Sequence, residues 1–212
     1  MAVSSSPQPA ERSRPPAPHT GTPADTPTAD TPVADTPVAD TPITVRRART
    51  RDVVHIRRLM DAFSTERRVL SKSTVNLYED IQEFWVAESG GPGDPGTVVG
   101  CGALHVLWED LAEVRTVAVD PAVQGRGVGH RIVGALLDAA RELGARRVFC
   151  LTFETAFFGR HGFREIQGTP VSTRVYEELL RSYDEGVAEF LGLERVKPNT
   201  LGNTRMLVHI DG

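Results

Sequence analysis

The chain has 212 residues, a formal net charge of −4, 40% hydrophobic residues and two cysteines. That length suits one ordinary domain with or without a tail, and no apolar run approaches the ~18 residues of a membrane-spanning helix. The N-terminus has no signal-peptide-like apolar core, and Cys101 and Cys150 stand outside any CxxC or His-ligand spacing. A membrane protein, an exported disulfide scaffold and a zinc module are thereby excluded, and a cytoplasmic protein with two buried thiols is expected.

Composition changes sharply along the chain. Ten of the 15 prolines fall in residues 1–43, together with five acidic and two basic residues, so this segment carries −3 and the remaining 169 residues about −1. A nearly neutral globular part lacks the basic surface that a nucleic-acid partner needs. Residues 24–43 repeat a five-residue unit, ADTPT, ADTPV, ADTPV, ADTPI. Proline in every unit blocks helix interiors and sheet ladders, apolar content is too thin for a core, and the period matches no packed repeat. Residues 1–43 are read as a disordered spacer and 44–212 as one domain.

Ile43–Ala48 has the pattern of a strand, and Thr50 is placed to cap a helix with the stripe Val53, Ile56, Leu59, Met60 and Phe63. A second helix is expected near Thr74–Phe84, then a strand over Phe84–Glu88 and a glycine- and proline-rich turn. Val98–Leu107 and Glu113–Val119, joined by a short acidic turn, read as an antiparallel pair. A glycine-rich turn then opens a long helix to about Leu143, followed by a strand over Arg147–Thr152. A short helix at Ala156–His161, a strand at Gly162–Ile166, a helix at Arg174–Asp184 and a closing strand at Arg205–Ile210 complete the order. Hairpins mixed with strand–helix–strand units define an α/β domain with a mixed central sheet flanked by helices.

The densest information lies in EVRTVAVDPAVQGRGVG at positions 113–129. A β-rich run feeds a turn bearing Gly125, Gly127 and Gly129, and successive amides at such a helix start can converge on a phosphate oxygen. A purely structural turn is the alternative. The P-loop pattern is excluded because no Lys-Ser or Lys-Thr follows, and the dinucleotide fingerprint because the spacing is GxGxG. The pattern Q-x-x-G-x-G, with Gln124, Gly127 and Gly129 in place, resembles the GNAT acetyltransferase superfamily, as does FFGRHGF at 157–163 beside that family's FYxxxGF element. The resemblance runs from about Thr44 to the C-terminus. It implies the GNAT fold, acetyl-CoA as cosubstrate with no permanently bound cofactor, and a homodimer.

It also implies roles for particular residues. Gln124, Gly125, Arg126, Gly127, Val128 and Gly129 would hold the pyrophosphate, and the backbone of Val117, Ala118 and Val119 would pair with the pantetheine arm. Glu113, 11 residues before Gln124, matches the family's catalytic glutamate. Chemistry supports the assignment, since an ammonium group (pKa roughly 8 or above) has no lone pair until a base removes its proton. A solvated strand-edge charge is the plainer reading of the same residue. A backbone N–H of Val117 or a neighbour would serve the tetrahedral oxyanion. Phe158 stands where the family often has a tyrosine that protonates the leaving thiolate, so water or another hydroxyl such as Tyr78 must serve.

Several further segments resemble bacterial amino-acid N-acetyltransferases and the acetyltransferase half of N-acetylglutamate synthases. They include Leu77–Glu79, Gln82–Glu88, Val99–His105, Leu151–Thr155 and Val196–Asn199. That implies L-glutamate as acceptor and the first step of arginine biosynthesis. The longer synthases carry an arginine-binding kinase-like domain where this chain has its repeat segment, so arginine feedback is not implied. A dicarboxylate needs cationic donors, and arginine suits bidentate pairing. Lys72 and Arg205 match basic contacts of the synthases, while Arg115 shares the strand parity of Glu113. The run Arg46–Arg51 reads as a solvated face, His105 and His161 as cleft-edge or packing residues, and no histidine spacing suggests a metal site. Other acceptors (glutamine, another small amine, a protein N-terminus) and a non-catalytic acyl-CoA sensor are the alternatives.

Overall fold

The computed structural model describes residues 41–64, 73–90, 96–184, 187, 191 and 202–211. The repeats before Thr41, Lys72, the turn at 91–95 and the segment 196–199 lie outside these residues.

Seven strands form one sheet: β1 (Ile43–Arg47), β2 (Phe84–Ser89), β3 (Thr97–Trp108), β4 (Leu111–Val119), β5 (Arg147–Thr152), β6 (Arg164–Glu165) and β7 (Thr204–His209). Their spatial order is β1-β2-β3-β4-β5-β7-β6. Every neighbouring pair is antiparallel except β4 and β5. Helices among the described residues include α1 (Val53–Ser64), α2 (Thr74–Glu79), α3 (Val128–Glu142), α4 (Thr155–Gly159) and α5 (Thr173–Leu179). This is the GNAT fold that the sequence led us to expect.

Helix α3 buries Val128, Ile132, Val133, Leu136, Leu137 and Ala140, a stripe at helical spacing, against Leu104, Ala112, Val114, Val148 and Cys150 of the sheet. Contact is close because Gly102 has no side chain: a Cβ there would lie 2.7 Å from a methyl of Ile132. The opposite face is covered in two parts. Val53, Ile56, Leu59 and Met60 of α1, with Leu77 of α2, pack on Phe84, Val86, Cys101, Ala103 and Ala118. Leu179 of α5 packs on Leu111, Phe149 and Leu207.

Five expectations are revised. Thr50 does not cap the first helix. Residues Thr50–Asp52 form a 3-10 turn, and the buried Asp52 carboxylate accepts the Arg49 N–H at 2.8 Å. The run from Arg46 is not wholly solvated, because Arg46 bonds Asp52 through two nitrogens (2.7 and 3.1 Å) and Glu88 through Nε at 2.7 Å. Arg47 lies over the Trp85 ring. The second helix stops at Glu79, since Ile81–Glu83 tighten into a 3-10 turn that leads into the buried start of β2. The helix near Arg174 likewise stops at Leu179, before the residues that carry Asp184 back to the sheet.

The two-residue turn Glu109–Asp110 joins β3 to β4, so β4 starts at Leu111 rather than Glu113. Asp110 ties this hairpin to β5. Its carbonyl accepts the N–H groups of Arg146 and Arg147 (3.0 and 2.9 Å), and its carboxylate takes the Arg147 guanidinium at 3.0 and 3.1 Å.

Candidate active site

Pairing of β4 with β5 is confined to Leu111, Ala112 and Glu113 against Arg147, Val148 and Phe149. Beyond Glu113 the two strands part, and β4 continues to Val119 with its β5-facing edge outside that ladder. Glu113 therefore sits at the apex of a fork in the sheet.

The far limb of the fork is bent by a β-bulge. Between the pairs Ala103↔Arg115 and Cys101↔Ala118, β4 spends one residue more than β3. Thr116 takes φ +58°, the one positive φ at a non-glycine position among the described residues. The extra residue reverses the alternation of side chains. Glu113, Arg115 and Ala118 face the α1–α2–α5 side, whereas Val117 and Val119 turn to the α3 side and pack on its core.

The glycine turn follows directly. Asp120 caps a 3-10 turn at Pro121–Val123 by accepting the Ala122 N–H at 3.0 Å, and Gln124 Nε2 donates to the Val119 carbonyl at 3.4 Å. Gly125 and Gly127 adopt left-handed φ of +78° and +74°, which L-residues with a Cβ rarely accept. Gly127 is the N-cap of the 15-residue α3. First-turn N–H groups have no acceptor within their own helix and carry the positive end of its dipole. A left-handed turn opening into a helix N-terminus is a geometry that suits an anionic group such as a pyrophosphate. Arg126 and Arg131 donate to the carbonyls of Thr41 and Ile43 (3.3 and 2.9 Å), joining the turn to the start of β1.

On the other face lies a dense ionic cluster. The Glu113 side chain is 5% exposed and its Oε2 is 3.8 Å from Nη1 of Arg115. Arg115, itself 10% exposed, donates to Glu83 Oε2 at 2.8 Å and to both oxygens of Asp184 at 3.1 and 3.0 Å. His105 Nδ1 lies 2.6 Å from the other Glu83 oxygen, and His105 pairs across the sheet with Glu113. Burial pushes the Glu83 carboxyl up, but His105 and Arg115 outweigh it and hold it below the usual carboxylate range. Asp184 behaves alike, burial being outweighed by Arg115 and the Val187 N–H. Burial works against the Arg115 charge, yet Glu113, Glu83 and Asp184 together raise its pKa above the ordinary value. Among the described residues no three His, Cys, Asp or Glu side chains are placed to hold a metal ion. A guanidinium occupies the middle of this cluster instead.

Glu113 lies at the fork, Arg115 and Val117–Val119 follow it along β4, Gln124–Gly129 form the turn between that strand and α3, and Lys72 falls outside the described residues. Arg205 pairs with Leu151 on the face that also carries Phe149 and Glu113, one alternate position further toward the open end. Arg115 shares the Glu113 face of the sheet as its parity implied, but its donors go to protein carboxylates. Phe158 is packed edge-on against Phe157 and Phe163 and is 6% exposed, so the tyrosine position is part of the core. Tyr78 is 47% exposed on α2. Sequence reasoning missed Glu83 and Asp184 entirely, and it placed His105 at the cleft edge without its partner. His161, read as a packing residue, hydrogen-bonds His130 at 2.8 Å beside the Phe157 ring.

Residues 54–163, more than half of the chain, match the model of the acetyltransferase (GNAT) family. The protein belongs to that family, and acetyl-CoA is its cosubstrate. An amino-acid acetyltransferase of Mycobacterium tuberculosis is 62% identical over 164 residues, 77% of this chain and 92% of that protein. The crystal structure of Rv2747 from Mycobacterium tuberculosis, in complex with CoA, superimposes with TM-score 0.74 at 61% identity, over 79% of this chain and 99% of the other. N-acetylglutamate synthase of Neisseria gonorrhoeae, complexed with coenzyme A and N-acetyl-glutamate, shares the fold at 23% identity and TM-score 0.62, over 82% of this chain and 36% of the synthase.

Proposed function

We propose that the protein is an amino-acid N-acetyltransferase that moves acetyl from acetyl-CoA to the α-amino group of L-glutamate, the opening step of arginine biosynthesis. The observation that carries this reading is the buried Glu113 carboxylate at the apex of the fork, one bulge away from a glycine turn suited to a pyrophosphate. The similarity to amino-acid acetyltransferases supports the choice of a free amino acid over a protein N-terminus.

In this mechanism the thioester lies along β4, its pantetheine arm bonded to the backbone of Val117–Val119 and its pyrophosphate held at Gln124–Gly129. Glu113, directly or through water, takes a proton from the acceptor ammonium, and the amine then attacks the thioester carbonyl. A backbone N–H at the bulge near Val117 stabilises the oxyanion. The tetrahedral intermediate loses its second N–H proton to water and collapses with loss of CoA thiolate, which takes its proton from water or from Tyr78, since Phe158 has no hydroxyl to give. Lys72 and Arg205 hold the two carboxylates of glutamate. Arg115 is not a direct ligand of the acceptor in this reading, because Glu83 and Asp184 engage its donors.

The test is CoA-thiol release from acetyl-CoA with each of the 20 amino acids as separate acceptor. Saturable release with L-glutamate well above the rest is the expected result. Preference for glutamine or another amine would keep the chemistry and overturn the glutamate assignment. Tight acetyl-CoA binding with no release for any amino acid would favour a sensor or a macromolecular acceptor.

A further inference from the structure

We infer that Arg115 and Asp184 are positioning residues that hold the Glu113 carboxylate at the fork and set its basicity through the balance of charge around it. The inference rests on the reading of Glu113 as general base, and its starting point is a charge count. Three carboxylates, Glu83, Glu113 and Asp184, surround one guanidinium. They come from three separate parts of the chain: the turn before β2, the strand β4 and the segment after α5. Only β4 places Glu113 and Arg115 together by itself. The other two carboxylates arrive from 32 and 69 positions away along the chain.

The geometry gives each member a distinct effect. Arg115, 3.8 Å from Glu113 Oε2, favours the anionic base and so makes it weaker. Glu83 and Asp184 lie closer to Arg115, at 2.8 to 3.1 Å, and compensate most of its charge, which leaves Glu113 a stronger base than an isolated Arg–Glu pair would allow. His105 in turn balances Glu83 at 2.6 Å. From the remaining side of the fork, the Cys150 thiol on β5 is held neutral by burial first and by the Glu113 charge second. Arg205 on β7 lies on the same face of the sheet as Glu113. Asp184 is itself fixed, since it accepts the Val187 N–H at 3.0 Å while its own N–H donates to Ser182 Oγ at 3.2 Å. A small displacement of Asp184 would therefore pull on Arg115 and, through it, on the reacting carboxylate.

The experiment is the pH profile of kcat/KM for the amino-acid acceptor in the full-length protein and in four variants. The lower limb reports the free enzyme's base, while ionisation of the free acceptor's ammonium falls on the upper limb and is the same for every variant, so movement of the lower limb belongs to the enzyme. Asp184→Asn removes a negative charge behind Arg115 and should move the limb to lower pH. Arg115→Gln removes the positive charge beside Glu113 and should move it to higher pH, by about one unit. Arg115→Lys keeps the charge and should return the limb to its original place while lowering the rate. Folded Asp184→Asn and Arg115→Lys proteins that both keep the parent limb and the parent rate would overturn the inference, even if Arg115→Gln fails to fold. Opposite shifts in the Asn and Gln variants cannot come from a general loosening of the structure. Glu113→Gln separates the two layers. Loss of turnover in that variant, with unmoved limbs in the others, defeats the network but leaves the base. Full turnover with an unchanged profile defeats the base itself.

Discussion

At the scale of single residues, the backbone at Thr116 and at Gly127 carries much of the site's geometry. Thr116 is β-branched and holds φ +58°, a conformation that costs an L-residue about 1–2 kcal/mol. The surrounding ladder, with Cys101 and Ala118 in register on one side and Ala103 and Arg115 on the other, leaves the strand no alternative. Gly127 holds φ +74° with nothing within 4 Å of where a Cβ would stand, so only backbone strain opposes a side chain there. Gly127→Ala should cost about 1 kcal/mol of stability from the left-handed backbone, seen as a lowered Tm. It should also raise the KM for acetyl-CoA much more than that for the amino acid, and equal effects on the two KM values would remove Gly127 from the phosphate cradle. The glycines of this turn could be read directly from the Q-x-x-G-x-G spacing. The bulge could not, because EVRTVAV looks like an unbroken strand until its partner's register is known.

At the scale of elements, charge fastens the first strand and helix to the sheet. Asp52 accepts two nitrogens of Arg46 and the Arg49 N–H, and Arg46 reaches Glu88 on β2 as well. Burial raises the Asp52 carboxyl, but these partners win and hold it below its ordinary range. A carboxyl whose pKa is lower folded than unfolded adds stability above the ordinary value, and the gain is lost as pH falls through the folded value. Glu83, Glu88 and Asp184 are depressed likewise and act with the same sign. The protein should therefore lose stability on acidification below about pH 4. Asp52→Asn should cost about 2 kcal/mol at neutral pH, less than the ~3–5 of a fully buried pair because Arg46 keeps Glu88, and should flatten the acid dependence. Chemical denaturation from neutral to acid pH measures both, and an unchanged acid slope would free Asp52 of this role. Strands and helices were legible from apolar spacing. These pairings were not, because they join residues 42, 32 and 69 positions apart through contacts that only the folded sheet creates. The basic run at Arg46 looked like solvent-facing charge for that reason.

At the scale of the whole molecule, the outer edge of the sheet and the glycine turn are one assembly. β1 starts at Ile43, and the carbonyls of Thr41 and Ile43 receive Arg126 and Arg131 from the turn and from α3. Pro42 contributes too, its carbonyl accepting the Gly90 N–H at 3.2 Å. Removal of residues 1–40 should leave turnover and Tm unchanged, whereas removal of 1–47 should raise the KM for acetyl-CoA and lower the Tm. A loss of activity in the shorter deletion would assign a role to the ADTPx repeats. Family and fold were within reach of the sequence because two short motifs, at 124–129 and 157–163, stand together in one chain. The identity of the acceptor was less accessible. It depends on which cations converge, and of the three candidates Arg115 is engaged by the protein's own carboxylates.

The parting of β4 from β5 has one more consequence. Helix α3 and the glycine turn at its start belong to one side of the sheet and Glu113 to the other, and beyond Glu113 the strands β4 and β5 are unpaired. On the proposed reading a thioester seated at the turn and an amine beside Glu113 would approach that gap from opposite faces, and neither would have to leave before the other could enter.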